Sequence, residues 1–167
     1  MMPLPSLYEL PRRIRQAILA FLLLQSFGVL FGLGNLYLTT QLSLTGTTVH
    51  YRGDAPPVDA FEIQDNFEKP ISELLLTTHN HLLGFSFIFA LLVPIFSLSS
   101  IVSGSLKSFL MVEPFISVLM TFLSIWGLRF ISSHFAFITM AFGSLTYASY
   151  FLMVGLIGYE LLLKKRA

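Results

Sequence analysis

The chain has 167 residues, of which 54% are hydrophobic and only 11% charged, and its formal net charge is +1. A soluble domain carries about 25% charged residues, so this balance points to an integral membrane protein. Near-neutrality, with no basic run and no glycine-rich phosphate loop, argues against nucleic acid as a partner, and the lack of cysteine excludes disulfides, thiolate metal sites, covalent c-type haem and iron–sulfur clusters.

Residues 1–16 hold Pro3, Pro5, Pro11 and the cluster Arg12, Arg13 and Arg15, and read as a short interfacial segment. Residues 17–38 are almost wholly apolar and long enough to cross a bilayer core of about 30 Å. The run is too long for a signal-peptide core and no A-x-A site follows it, so it reads as an uncleaved first span. Gly28, Gly32 and Gly34 thin one side of it, which suits close helix contact.

Residues 39–69 form a polar loop with Gly46, Gly53, Pro56 and Pro57. Six acids lie in or just after it: Asp54, Asp59, Glu62, Asp65, Glu68 and Glu73. Its weak alternation fits either a short hairpin or a turn of helix lying on the membrane, and a loop of this length is expected to dock onto something. A second span covers 70–103, started by Pro70 and kinked at Pro94. After a turn at Ser103-Gly104-Ser105, a third span covers 110–130, with Glu113 near its start and Trp126 and Arg129 near its end. Ser133 is the expected N-cap of a fourth span over 134–163. Short connections make these helices antiparallel neighbours, so the expected fold is all-α: a single membrane domain, residues 1–167, built as an up-down four-helix bundle.

Basic residues set the expected orientation. With both termini cytoplasmic, Arg12, Arg13, Arg15, Lys107, Lys164, Lys165 and Arg166 lie inside, while Arg52, Lys69, Arg129 and the loop acids lie outside. Glu113 is expected near the inner interface beside Lys107, with proton shuttling as the alternative. Glu160 is expected to be solvated beside the basic C-terminus, and the turn SLSSIVSGS to be an ordinary connector.

On this topology His50, His79, His81 and His134 all fall at the extracytoplasmic end, with Arg129. Residues two apart on a helix point about 200° from each other, so His79 and His81 cannot both face one small site. His81 shares a stripe with Thr77 and Gly84, which leaves room for a flat ligand. Three readings stay open. In one, His81 or His79 joins His134 as axial ligands of a b-type haem between facing helices, with Arg129 and Arg52 as propionate partners. In the second, His50, His79 or His81, and His134, with Asp54 or Glu73 as a carboxylate, supply ligands for copper or zinc. In the third, the imidazoles mark the membrane interface and bond to neighbouring threonines or carbonyls. The haem reading implies an electron-transfer or accessory subunit of a larger respiratory, photosynthetic or quinone-linked complex, exchanging electrons with a quinone or a periplasmic cytochrome. A cofactor-free structural or assembly subunit is the alternative. No nucleophile–base–orienter set supports hydrolysis, so an enzyme in its own right is not expected.

Thr45-Gly46 with His50-Tyr51-Arg52-Gly53, followed by Thr78-His79 and His81-Leu82, resembles a group of small bacterial four-span membrane proteins that share a TG…HYRG loop and a TH-x-HL start to the second span. The resemblance covers about the first half of the chain. It implies a bacterial inner-membrane setting and carries no assigned activity.

Overall fold

A computed structural model describes residues 5–54 and 65–164. The remainder of the expected loop, with Pro56, Pro57, Asp59 and Glu62, lies outside the described residues, as do Pro3, Lys165 and Arg166. The described chain is all helical: a 3-10 turn at Leu7–Glu9, then α1 (Arg12–Thr40), α2 (Leu44–Arg52), α3 (Ile71–Ser97), α4 (Gly104–Phe130) and α5 (Phe135–Leu162), with no strand among the described residues. All but α2 are long and apolar enough to cross a membrane.

The centre of the molecule is the α4–α5 pair, which makes by far the most extensive contact, with α3 packed on both. Leu110, Pro114, Ser117, Thr121, Ser124 and Leu128 of α4 recur at alternating four- and three-residue steps. So do Thr139, Gly143, Thr146, Tyr150, Met153, Ile157 and Glu160 of α5. That period is the seam of a left-handed antiparallel pair. Small and hydroxyl side chains fill it, as close approach in a membrane demands. Gly127 has no room for a side chain, because a Cβ there would meet ring carbons of Phe135 at 2.5–2.8 Å.

By contrast, α1 leans on α5 and α2. Its links to α5 are a guanidinium bond from Arg15 to the Leu161 carbonyl and a 3.2 Å contact between the Ser26 and Tyr150 hydroxyls. Among the described residues, none of Gly28, Gly32 and Gly34 has a heavy atom within 4 Å of its would-be Cβ, so the thin face makes no close contact with them. The N-terminal segment is tied down rather than loose: Leu7 is fully buried and its N–H donates to the Leu98 carbonyl at 3.1 Å.

Several boundaries differ from the sequence expectation. The second helix ends at Ser97, not 103, and the next begins at Gly104, not 110. Ser99 and Ser100 leave the helix because both bond to the Glu160 carboxyl. At the start of α5, His134 occupies the N-cap, and the hydroxyl that accepts its N–H belongs to Ser132, not Ser133. The turn of helix in the loop is α2, and it packs on α4 and α5 as well as α1.

Candidate functional site

The end of the bundle that carries α2 is a clasp of basic side chains. Ser43 caps α2 by accepting from the Gly46 N–H at 3.0 Å. Gly46 lies so close to the Thr40 carbonyl that a side chain would collide with backbone. Gly53 closes the helix at φ 80°, and a Cβ there would stand 2.7 Å from the Glu68 nitrogen. Both glycines of the TG…HYRG motif are thus required by backbone approach. Between them, Tyr51 is buried, Lys69 donates to the Tyr51 carbonyl through its backbone N–H at 3.2 Å, and Lys69 Nζ reaches His50 Nε2 at 3.2 Å.

Burial pushes the His50 pKa below its ordinary value, the adjacent Lys69 charge adds to this, and Glu73 works against it. Neutral His50 can therefore accept the lysine proton in that bond. Burial, helped by Tyr147, pushes the Tyr51 phenol up to about 12. Both arginines singled out in the sequence are engaged here. Arg52 Nη1 donates to the Leu128 carbonyl at 3.4 Å; Arg129 donates to the Lys69 carbonyl at 3.2 Å and pairs with Glu68 at 2.7 Å.

The other histidines lie apart from this clasp. His79, Asn80 and His81 are all exposed on α3, and His134 is exposed at the start of α5. His81 Nδ1 is 2.8 Å from the Thr77 carbonyl, and its ring lies 5.5 Å from that of Phe122. His134 Nδ1 contacts the Ser132 hydroxyl at 2.8 Å. Depth separates the two. Trp126 bonds to Thr78 and Phe122 faces His81, while Ser124 faces Thr139 across the seam. His81 thus sits about two turns, roughly 10 Å, deeper along the bundle than His134. Among the described residues, no group of three or more His, Asp or Glu side chains could hold a metal ion.

Two carboxyls emerge as the main features that sequence reading misplaced. Glu113 is not beside Lys107 at an interface, because α4 begins nine residues earlier, at Gly104. It is 5% exposed within the α4–α5 seam and accepts hydroxyl bonds from Ser117 of its own helix and Ser149 of α5. Lys107 instead donates to the Ser97 and Ser99 carbonyls. Glu160 is not solvated but fully buried. It accepts from Ser99 Oγ at 2.6 Å, Ser100 N at 2.9 Å and Ser100 Oγ at 2.6 Å, which makes the serine turn a carboxyl receptor rather than a plain connector. The signal available in the sequence was the three- and four-residue spacing that puts Glu113 in step with Ser117 and Ser124, and Glu160 in step with Met153 and Ile157.

No curated protein and no solved structure matches the chain. A family model described as a transmembrane helical domain, Aq_1264_TM, matches residues 41–167, which begins at the α1–α2 corner and takes in the whole clasp, α3 and the α4–α5 seam. With four apolar spanning helices and this match, the chain is a multi-pass membrane protein that belongs to that transmembrane helical domain family.

Proposed function

We propose that the protein is an accessory subunit of a larger complex in the bacterial cytoplasmic membrane, with both termini inside, and that it docks a transmembrane partner in the half of the bilayer nearer α2. The supporting observation is that His79, Asn80 and His81 are exposed one after another on a spanning helix. Three consecutive residues sweep about 200° of helix surface, so α3 is uncovered over more than half its girth at this depth. Exposed leucines there simply face lipid, whereas imidazoles and amides in hydrocarbon need hydrogen-bonding partners. α1 also presents Gly28 and Gly32, a G-x-x-x-G pair with open space at each Cβ, and an exposed Asn35. Close-packing glycines together with amides form a surface suited to another helix. Arg12, Arg13, Arg15, Lys107 and Lys164 at the opposite end from the acids Asp54, Asp65, Glu68 and Glu73 favour the orientation. The test is the mass of the native particle in mild detergent. The wild type is expected to run with a partner, and replacing His79, Asn80 and His81 together by leucine should release it. A wild type that runs alone, or a triple variant that keeps its partner, would refute the reading.

A b-type haem is the second reading, favoured by one contact. The Thr77 carbonyl fixes Nδ1 of His81 as the N–H side, which leaves Nε2 as a ligand nitrogen beside the open face of Gly84. Because His134 lies two turns away, the second axial ligand would come from the docked partner, and an electron-transfer role would belong to the assembly. Copper or zinc at His79 or His81 would likewise need outside donors. A Soret band that shifts on reduction and disappears in His81→Ala, while His134→Ala retains it, is the expected result for haem. A colourless complex would eliminate it.

A further inference from the structure

At the termini end of the bundle most cations are already engaged. Arg15 donates to the Leu161 carbonyl and Lys107 to the Ser97 and Ser99 carbonyls. Lys164 donates to Ser100 Oγ and lies 4.7 Å over the Tyr8 ring. Arg12 and Arg13 are different: both are exposed, and neither side chain has a partner among the described residues. Acids do not offset them. The first turn of α1 holds none, Glu160 is buried on Ser99 and Ser100, and Glu9 accepts from the Ser6 N–H.

The backbone adds to this excess of positive charge. Pro11 stands at the N-cap of α1 and offers no side-chain acceptor. The N–H groups of Arg12 and Arg13 find no acceptor among the described residues. The positive end of a 29-residue helix and two unpaired guanidiniums therefore lie together. That combination is complementary to a phosphate.

The surface next to this charge indicates what the phosphate is attached to. Ile14, Ala17, Ile18 and Phe21 follow Arg13 at spacings that keep them on one side of α1. With Ile95 of α3 they line a groove of about 410 Å³, within the roughly 300–1,000 Å³ of ordinary ligand sites. The groove exists because α1 leans on α2 and α5 rather than on α3, and because Ala17 is small. From Arg13 to Phe21 it runs about 12 Å along the helix, from the charged end into the span. The groove on the α5 side of α1 is more polar, with Arg12, Arg15 and Gln16 in its wall.

We propose that the α1–α3 groove binds one anionic phospholipid of the leaflet at the termini end. Its phosphate sits on Arg13 and the first N–H groups of α1, and one acyl chain lies against Ala17, Phe21 and Ile95. Free phosphate would leave the apolar wall bare, and a lipid without net charge would leave the guanidinium unpaired. The site is at the opposite end from the exposed histidines of α3, and the inference stands whether or not the docking reading holds.

The experiment titrates the purified full-length protein in mild detergent with phosphatidylglycerol or phosphatidylcholine of the same acyl chains, and reads bound lipid by native mass spectrometry. One phosphatidylglycerol should bind about tenfold more tightly than phosphatidylcholine. Arg13→Gln should weaken it about fivefold, the share of one basic residue beside an anionic headgroup. Ala17→Phe fills the groove from an exposed position and should abolish the tight binding. Ala20→Phe, equally exposed but outside the groove, should retain it. Excess inorganic phosphate should not displace the lipid. Equal binding of the two lipids would reduce the site to ordinary boundary lipid and overturn the proposal. So would retention in Ala17→Phe, loss in Ala20→Phe, or displacement by inorganic phosphate.

Discussion

The α4–α5 seam and the α2-side half of α1 and α3 use the same residue types to opposite ends. In the seam, glycine, serine and threonine bring two backbones together and every hydroxyl finds an acceptor. On α1 and α3, Gly28, Gly32 and Gly84 have no heavy atom of the described residues within 4 Å of a would-be Cβ, and Asn80 is exposed. The best apolar window of α4 is 44% buried and that of α1 only 11%. Small and polar residues therefore carry the packing information in this membrane protein, and the uncovered ones are where the docking proposal can be tested.

The sharpest way to break that contrast is to enlarge one glycine in each region. Gly127→Leu should destabilise the folded protein by about 3 kcal/mol, because the Phe135 ring already fills the space. Gly32→Leu should stay within about 0.5 kcal/mol, since nothing lies near it. Denaturation of the purified monomer in mixed detergent micelles measures both. Equal effects would mean that the seam is no tighter than the open face. Next in size is Glu160→Ala, which strands the Ser99 hydroxyl and the Ser100 N–H and hydroxyl. A loss of about 2 kcal/mol is expected, together with faster amide exchange at the α3–α4 turn. Unchanged exchange there would show that Glu160 does not hold the turn.

The existence of four spans was legible because about 20 apolar residues in a row have few other uses. Helix ends were not. Ser97 to Ser103 reads as a mild continuation of the apolar run, and only the buried carboxyl of Glu160, about 60 residues away, explains why the chain leaves the helix there. Which face of each span points inward was equally hidden, since hydropathy hardly varies around helices that meet lipid on one side and neighbours on the other. Spacing places His79 and His81 on different faces of α3, but nothing local says that α3 is covered on one side only. The TG…HYRG motif was visible as letters. The reason for its glycines, contact with Thr40 and Glu68 backbone, exists only once α2 is folded against its flanks.

The clasp offers a pH handle on the same comparison. The folded pKa of His50 lies below the ordinary 6.5, so the unfolded segment binds more protons near that pH. The stability that neutral His50 lends to α2 is present above about pH 6.5 and is lost as the pH falls from there toward the folded value. Protection factors for the amides of residues 44–52, corrected for the pH dependence of intrinsic exchange, should fall on acidification, while those in the α4–α5 seam stay constant. His50→Gln should flatten the response. A pH-independent α2, or a seam that loosens in parallel, would mean that the clasp does not act as a separate unit.

The smallest effect is expected at the Arg129–Glu68 pair. Its 2.7 Å geometry looks strong, yet the glutamate side chain is 62% exposed and the arginine only 12%. An ion pair open to water on one side is screened and contributes little, so Glu68→Ala should cost less than about 1 kcal/mol and matter less still in high salt. Arg129 retains its bond to the Lys69 carbonyl in that variant, which keeps the chain entering α3 against the end of α4. The comparison with Glu160 is the informative one, because both are glutamates that hold a connection between helices. Glu160 does so from full burial with three donors, whereas Glu68 does so from the surface with a single cation. Were Glu68→Ala to destabilise as much as Glu160→Ala, burial would not be what ranks the polar contacts of this bundle.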